Sequence, residues 1–112
     1  MDCIFCKIAS GEIPIEPVYQ DEQIIAFRDI RPQAPVHLQV IPKKHIPTLL
    51  DIKMEDAELF GHLMTKIPKI AEIAGLQEGF RLVGNCKSPA GQEVYHIHFH
   101  LLGQRKFSWP PG

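Results

Sequence analysis

The feature that most constrains the fold is a regular alternation of residue types near the carboxyl end of the chain, from Val94 to Leu102. Histidine stands at positions 96, 98 and 100, and apolar residues stand at positions 97, 99 and 101. Successive side chains of a β-strand point to opposite faces of a sheet, so this pattern predicts a strand with one apolar face and one histidine face. We therefore expect a sheet whose apolar face is covered by another element.

The other segments predict what surrounds this strand. Apolar runs bounded by turn residues predict three further strands, at residues 23–28, 36–41 and 80–83. A helix is predicted from Lys53 to Ala74 by apolar residues at three- and four-residue spacing: Leu59, Leu63, Ile67, Ile70 and Ile73. Gly75 suits its left-handed cap, and Pro68 should kink it or remove one hydrogen bond. One long helix without repeated strand–helix alternation is typical of an α+β domain with a largely antiparallel sheet.

Length and composition limit the class of protein. A chain of 112 residues with 45% hydrophobic residues suffices for one compact domain, which we assign to residues 1–112. A formal charge of −1 gives no electrostatic reason to expect a nucleic acid or a membrane surface as partner. No apolar run approaches the ~20 residues of a membrane span. The start, Met1 to Cys6, lacks the basic and apolar regions of a signal peptide, so we expect a cytoplasmic protein.

Two kinds of chemistry fit a face with three imidazoles. In the first, one neutral imidazole attacks phosphorus and forms a phosphoryl-histidine that water then splits. The central position favours His98 for this role, since it has a histidine on either side. In the second, the imidazoles hold a catalytic zinc with an open coordination position, and the metal activates water.

The chain resembles the histidine triad (HIT) superfamily. Residues 96–102 match its His-φ-His-φ-His-φ-φ signature, in which φ is apolar. The supporting stretches run in order along essentially the whole chain, at residues 4–8, 27–30, 32–37, 41–46, 91–95 and 109–112, and are similar to the nucleotide-binding, phosphoramidase-like branch. The resemblance implies a HIT fold, which is a mostly antiparallel five-stranded sheet with one long helix, extended across a homodimer into one continuous sheet.

The resemblance also implies roles for single residues. His98 would attack the α-phosphorus, His100 would contact the same phosphate, and His37 would steady the triad. Asp29 would accept hydrogen bonds from the ribose hydroxyls. Phosphate oxygens would be contacted by a set of side-chain or backbone donors: Asn85, Gly91, Gln92 and Val94. The base would lie in an apolar slot: Ile4, Phe5, Ile8, Phe27 and Ile30.

Several of these residues have a simpler explanation. Asn85 and Gly91 tolerate unusual backbone angles and could be turn residues, and Asp29 could be a local turn former. The apolar residues could be ordinary core. Glu93 departs from the commoner pattern, in which several relatives have a serine that serves the leaving group. Because a carboxylate beside a phosphate is repulsive unless it faces a cation, we expect Glu93 to favour a cationic leaving group.

Three cysteines are too few, and odd in number, for a disulfide framework. The pair Cys3 and Cys6 is by itself a weak signal for a metal site. Some superfamily members bind zinc with this pair and two histidines, and the matching residues here are His45 and His96. The resemblance therefore implies a closed, structural Cys₂His₂ zinc site, with no cofactor required for catalysis.

These expectations together imply a hydrolase that cleaves the P–N bond of purine nucleoside 5′-phosphoramidates through a nucleotidyl-histidine. The tail 109–111 would cross the dimer and help shape the leaving-group side. Two alternatives stay open: a zinc-dependent nucleotide hydrolase whose triad coordinates the metal, and a nucleotide-binding adaptor with incidental turnover. The choice between adenine and guanine, and the processing of dinucleoside polyphosphates, are also left open.

Overall fold

The computed structural model describes residues 3–112. Met1 and Asp2, which belong to the segment used to judge a signal peptide, lie outside the described residues. The helices and strands follow in the order α1 Ile4–Ser10, β1 Tyr19–Gln20, β2 Ile24–Arg28, β3 Val36–Pro42, α2 Ala57–Ile73, β4 Phe80–Gly84 and β5 Phe99–Gly103. Short 3₁₀ turns lie at Leu49–Asp51, Met54–Asp56 and Ser88–Ala90.

The strands form one five-stranded sheet in the order β1-β2-β3-β5-β4, and every neighbouring pair is antiparallel. Strand β5 lies between β3 and β4, with Gln39 opposite His100 and Val83 opposite the same residue. This confirms the predicted α+β class, the largely antiparallel sheet and the single long helix. The histidine strand is therefore central, with a strand on either side.

Helix α2 covers one face of the sheet. Leu63, Ile67 and Ile70 are buried in one cluster with the residues that point to this face from the strands: Ile24, Ala26, Val36, Leu38, Val40, Phe99 and Leu101. The opposite face carries a smaller cluster under α1, formed by Phe5, Ile8, Ile25, Phe27 and Ile41. None of the helices in residues 3–112 is long and apolar enough to cross a membrane.

Strand β5 is shorter than predicted, since it begins at Phe99 rather than Val94. The pairing of Val40 with Phe99 would place Ile97 opposite Pro42 if it continued. Pro42 has no N–H to donate to the ladder, so regular pairing ends before this position. The N–H of Ile97 donates instead to the carbonyl of Ile46, over 2.7 Å. The alternation nevertheless predicted the faces correctly, because Phe99 and Leu101 face α2 and the histidines do not.

Two elements were not predicted. Strand β1 has two residues, too few for a visible pattern. Helix α1 has seven residues and was interpreted as a short segment and a turn. Its ends are well defined, because the Cys3 sulfur accepts from the Cys6 N–H and Gly11 ends the helix at φ 85°.

Helix α2 is also shorter than predicted. Residues 54–56 form a 3₁₀ turn, and the α-helix begins at Ala57. At the other end, Gly75 adopts φ 77°, as predicted for a left-handed cap. Pro68 lies inside the helix on its exposed side. Ile73 is 53% exposed, and Ala74 takes the buried position next to it.

Asp21 links the β1–β2 turn to helix α2. Its Oδ2 accepts from the Tyr19 hydroxyl at 2.8 Å and lies 2.7 Å from Nε2 of His62. Its Oδ1 accepts from the backbone N–H groups of Gln23 and Ile24. Burial alone would raise the pKa of the Asp21 carboxyl, but these hydrogen bonds outweigh it and hold the pKa well below its usual range.

We expect Asp21→Asn to lower the free energy of unfolding by about 1–3 kcal/mol at neutral pH, because hydrogen bonds to a charged group are lost. The folded-state pKa lies below the unfolded value, so the contribution is complete above about pH 4 and is lost as the pH falls towards the folded pKa. Urea unfolding at several pH values measures the difference in the free energy of unfolding between variant and wild type. Glu22→Gln, at an exposed neighbouring position, is the control. If this difference stayed constant in acid, the charged Asp21 carboxylate would not be the source of the stability.

Candidate active site

His98 lies just before β5 and is 7% exposed. Its Nδ1 is 2.8 Å from the backbone carbonyl oxygen of His96. A carbonyl oxygen can only accept, so Nδ1 carries the proton and Nε2 of the neutral ring keeps its lone pair. Among the described residues, Gln39 Oε1 is the one side-chain polar atom that is both fully buried and without a hydrogen-bond partner. His98 Nε2 also has no hydrogen-bond partner, so it must be accessible to solvent. The ring therefore presents a nucleophilic nitrogen outward.

His100 and His37 form a second ordered pair. The backbone N–H of Gln33 donates to His37 Nδ1 at 3.0 Å, so the proton of the neutral His37 ring is on Nε2. His37 Nε2 is 2.9 Å from His100 Nδ1, which therefore accepts. The neutral His100 ring must then carry its proton on Nε2. Its ring centre lies 5.1 Å from that of His98, so an N–H donor stands beside the nucleophile.

Burial keeps these imidazoles neutral. It lowers the pKa of His37, and the nearby Asp29 carboxylate opposes this only in part. Burial also lowers the pKa of His100, and the neighbouring His98 and His37 lower it further. The pKa of His96 falls because of burial, although the bond to the Pro42 carbonyl acts in the opposite direction. The tautomers assigned above to His37 and His100 are therefore those of the protein near neutral pH.

Asp29 is held in place from two directions. Its Oδ1 accepts from the backbone N–H of Arg31 at 2.8 Å, which is the turn-forming role that the sequence left open. Its Oδ2 accepts from Gln39 Nε2 at 2.8 Å and lies 3.5 Å from His37 Nε2. A carboxylate has about four lone-pair sites, so acceptor capacity remains for a ligand hydroxyl.

Gln39 was missed by the sequence analysis. It alternates with His37 on β3 and is paired with His100, so the period of two places it on the histidine face. Its Oε1 is buried without a hydrogen-bond partner among the described residues. The alternation that identified the histidines could therefore also have found Gln39.

The apolar residues predicted to hold a base are only partly brought together. Phe5, Ile8 and Phe27 are buried in the cluster under α1, and the Phe5 ring centre lies 5.1 Å from that of His98 with an angle of 90° between the planes. Ile4 is half-exposed and Ile30 is 93% exposed, so neither belongs to this cluster.

The loop before the triad uses most of its own donors. Gln92 is buried, its Oε1 accepts from the Lys87 N–H, and its Nε2 donates to the carbonyls of Pro47 and Val94. The backbone N–H of Gln92 donates to the carbonyl of Lys87, and the backbone N–H of Gly91 donates to the carbonyl of Ser88. Gln92 therefore orders the loop in this conformation.

The other loop residues lie at its two ends. Asn85 directly follows β4, and Gly91 adopts φ 96°, in the region that favours glycine. Glu93 is exposed and its Oε2 lies 4.0 Å from the guanidinium of Arg31, which is equally exposed. Arg31 was not singled out from the sequence, because a lone exposed arginine carries no pattern.

Four predicted metal ligands converge on one point. Cys3, Cys6, His45 and His96 each offer one donor atom, and these atoms lie within 4.8 Å of one another. The His45 and His96 Nδ1 atoms are 3.2 Å apart. The sulfur-to-Nδ1 distances are 3.4 Å from Cys3 to His96, 3.3 Å from Cys6 to His45 and 3.5 Å from Cys6 to His96.

These distances fit a zinc ion. Tetrahedral bonds of about 2.3 Å to sulfur and 2.0–2.1 Å to nitrogen would separate S from N by roughly 3.6 Å and N from N by roughly 3.3 Å. His96 Nε2 is 2.8 Å from the carbonyl oxygen of Pro42, so it carries the proton and Nδ1 offers its lone pair to the cluster. The four residues could therefore bind a metal such as zinc.

The known proteins that this chain resembles include members of the HIT family. A family model described as the HIT domain matches residues 10–107. A HIT-like protein of Synechococcus elongatus is 51% identical over 111 residues, 99% of this chain and 97% of the relative. Protein HitA of Neisseria gonorrhoeae is 46% identical over 102 residues, 91% of this chain and 95% of the relative.

Solved structures of HIT proteins are also similar to this chain. A HIT family hydrolase from Legionella pneumophila has a TM-score of 0.95 and 56% identity, covering 99% of this chain and 100% of that one. A histidine triad protein from Clostridium difficile has a TM-score of 0.90 and 49% identity, covering 96% and 95%. The fold described above, with its central histidine strand, is therefore the HIT fold, and this chain belongs to the HIT domain family.

Proposed function

We propose that this protein hydrolyses the P–N bond of purine nucleoside 5′-phosphoramidates, of the adenosine 5′-phosphoramidate or aminoacyl-AMP kind, through a covalent nucleotidyl-His98. The observation that supports the proposal is the 2.8 Å distance from His98 Nδ1 to the His96 carbonyl oxygen, which assigns the ring proton to Nδ1 and leaves Nε2 as a nucleophile. A similar protein from Legionella pneumophila is described as a HIT family hydrolase, which agrees with a hydrolytic reaction.

The reaction has two steps. His98 Nε2 donates its electron pair to the α-phosphorus, the P–N bond breaks, and the leaving nitrogen takes a proton from water. The ring keeps its proton on Nδ1, so the nucleotidyl-histidine is cationic. Water then attacks the same phosphorus and gives up a proton to solvent, the bond from phosphorus to Nε2 breaks, and the nucleoside monophosphate is released from the neutral ring. Splitting one displacement into two keeps each barrier lower.

Charge gathers on the phosphate oxygens in both steps. The Nε2–H of His100 is the donor placed beside His98, and His37 fixes its tautomer. A fixed donor at such a position stabilises the transition state more than the ground state. Asp29 retains acceptor capacity for the ribose hydroxyls, and Phe5 and Phe27 offer an apolar surface for the base.

A zinc-dependent hydrolase in which the triad itself coordinates metal is disfavoured by the direction of the donors. His96 Nδ1 points to the cysteines, whereas His100 Nδ1 points to His37. The His37–His100 distance of 2.9 Å suits an N–H···N hydrogen bond better than two ligands of one tetrahedral ion, which stand roughly 3.3 Å apart. Zinc, if bound, belongs with Cys3 and Cys6, where it would tie α1 to the strand ends without entering the reaction.

A homodimer is also part of the proposal. Strand β4 is at the edge of the sheet, where its free side is available for pairing with another chain. Arg81 of β4 donates to the Ser108 carbonyl at 2.9 Å, so the tail runs past this edge, and Trp109 beyond it is 84% exposed. A monomeric mass in sedimentation velocity at micromolar concentration would exclude this arrangement.

The function is tested by comparing binding with turnover. Adenosine and guanosine 5′-phosphoramidates, an aminoacyl-AMP and a dinucleoside polyphosphate are offered to the same protein. We expect the phosphoramidates to be hydrolysed with the highest kcat/KM. Tight binding of adenosine monophosphate without turnover of any of them would favour the adaptor alternative instead.

Glu93 should influence which amine leaves. Because Glu93 and Arg31 are both exposed and 4.0 Å apart, their ion pair is weak and the carboxylate can accept a cationic leaving group. We expect Glu93→Ser to lower the preference for a lysyl over a neutral alkyl phosphoramidate by up to about fivefold, the effect of an exposed pair worth about 1 kcal/mol. An unchanged ratio of kcat/KM values would show that Glu93 does not contact the leaving group.

A further inference from the structure

We propose that Gln39 is a positioning residue that makes the site selective for the ribose of a nucleotide. Its amide holds the Asp29 carboxylate in the orientation that accepts hydrogen bonds from both sugar hydroxyls. The inference rests on the proposed function for the nucleotide, and it assigns the sugar specificity to a residue outside the histidine signature.

Gln39 lies in the middle of a row of side chains that crosses the sheet. Phe27 of β2 is paired with Gln39 of β3, and Gln39 is paired with His100 of β5. Paired residues point to the same face, and neighbouring strands lie about 4.8 Å apart, so about 10 Å separates the strand of Phe27 from that of His100. Phe27 belongs to the surface proposed for the base, and His100 is the donor proposed for the phosphate. Because the sugar joins base to phosphate in a nucleotide, Gln39 lies where the ribose would be.

The amide of Gln39 points to Asp29. Its Nε2 donates to Asp29 Oδ2 at 2.8 Å, and the backbone N–H of Arg31 donates to Oδ1 at 2.8 Å. Each carboxylate oxygen therefore has one fixed donor and retains one lone pair. The Asp29 side chain is 13% exposed, which leaves part of it accessible to a ligand. Two adjacent acceptors match the two O–H donors of a cis-diol, and hydrogen bonds to a charged acceptor are the stronger kind.

Gln39 is the side chain that fixes the second carboxylate oxygen. His37 Nε2 lies 3.5 Å from Asp29 Oδ2, which is long for a hydrogen bond, and its proton is used by His100 at 2.9 Å. Without Gln39, the Arg31 N–H would be the remaining hydrogen-bond donor to this carboxylate among the described residues, and the group could rotate about its Cβ–Cγ bond. A diol would then have to orient the carboxylate as it binds, which weakens binding.

The other atom of this amide indicates that Gln39 does not serve stability alone. Gln39 Oε1 is buried and has no hydrogen-bond partner among residues 3–112. A buried acceptor without a partner is destabilising, and an apolar side chain of similar length would avoid this loss. Turning the amide round would place Oε1 against the Asp29 carboxylate oxygen, which is repulsive. Asp29 therefore orients the amide although the fold loses stability by it, as expected of a residue whose role is in binding.

The test measures sugar selectivity by binding, so it does not depend on turnover. Isothermal titration calorimetry gives the Kd for adenosine monophosphate and for 2′,3′-dideoxyadenosine monophosphate, which lacks both hydroxyls. The ratio of the two Kd values cancels every effect that does not involve these hydroxyls. Wild type is compared with Gln39→Met, which is similar in length and has no donor. The matched control is Gln77→Met, at an exposed glutamine whose amide donates to the Glu72 carbonyl.

We expect wild type to prefer the ribonucleotide, and Gln39→Met to reduce this preference about 3- to 10-fold through a higher Kd for the ribonucleotide. Gln77→Met should keep the wild-type ratio. Asp29→Asn should also reduce the preference, and adding Gln39→Met to it should change the ratio no further, because Gln39 acts through the carboxylate. If Gln39→Met does not fold by circular dichroism, Gln39→Asn replaces it, since its shorter side chain withdraws the donor from Asp29.

A merely structural role of Gln39 would weaken the binding of both nucleotides alike. An unchanged ratio in folded Gln39→Met would therefore overturn the inference, as would a further fall of the ratio when Gln39→Met is added to Asp29→Asn. Wild type that hydrolyses phosphoramidates without preferring the ribonucleotide would overturn the inference and leave the proposed function standing. The expected fall of the ratio in protein that hydrolyses no phosphoramidate would support the role of Gln39 while contradicting the proposed function.

Discussion

Replacing His98 with alanine is expected to lower kcat for adenosine 5′-phosphoramidate by on the order of 10³-fold or more, because the covalent route is lost entirely. The chain offers a matched control in His62, which lies on the far face of the sheet and pairs with Asp21. His62→Ala should leave kcat unchanged. His100→Ala, which removes a donor but not the nucleophile, should cost on the order of 10²-fold to 10³-fold.

The order of these effects matters more than their size. His98→Ala should be the most severe change and His100→Ala the next, with circular dichroism showing that each variant is folded. Turnover by His98→Ala within tenfold of wild type would mean that His98 is not the nucleophile.

Removing metal is expected to have the largest effect on stability. If zinc is present at 100 times its dissociation constant, it adds about 2.7 kcal/mol to the free energy of unfolding, and a domain of this size would then unfold about 10–20 °C higher. The gain in stability arises because the four ligands would join the start of α1, the segment after β3 and the segment before β5. Thermal unfolding with zinc and with a chelator measures it.

The double variant Cys3→Ser/Cys6→Ser should unfold at the temperature of chelated wild type and should not respond to zinc. Cys86→Ser should keep the full zinc response, since Cys86 is not part of the cluster. Wild-type protein purified without chelator that holds no zinc, and whose unfolding temperature does not change when zinc is added, would contradict a zinc site at these residues.

Much of the fold was predictable because its main elements have clear periods. Strands β2 and β3 and helix α2 were predicted within a few residues, and the alternation of residues 96–101 assigned the histidines to the correct face. The predictions that failed concern features that depend on tertiary contacts. The start of β5 is set by Pro42 on β3, which has no N–H to continue the ladder beyond Phe99, and α1 is a seven-residue helix whose cap is a cysteine.

Some features of the candidate site could likewise be predicted from the sequence, and others could not. The histidines and the Cys₂His₂ cluster were found from residue type and resemblance, and the structure brings each group together. The tautomers were not predictable, because they depend on the Gln33 N–H and on the carbonyls of His96 and Pro42. Backbone groups occur in every sequence, so only three-dimensional contacts show which of them matter. The exposure of Ile30 and the internal bonds of Gln92 likewise carry no sequence pattern.

A covalent nucleotidyl-His98 should accumulate during turnover and can be trapped. Wild type, His98→Ala and chelator-treated wild type are mixed with adenosine 5′-phosphoramidate, quenched within milliseconds, and measured by intact mass and peptide mapping. We predict an added adenylyl mass on His98 in both wild-type samples and none in the variant. Turnover without any adduct, or loss of both adduct and turnover in a chelated protein that remains folded, would contradict the histidine-nucleophile mechanism.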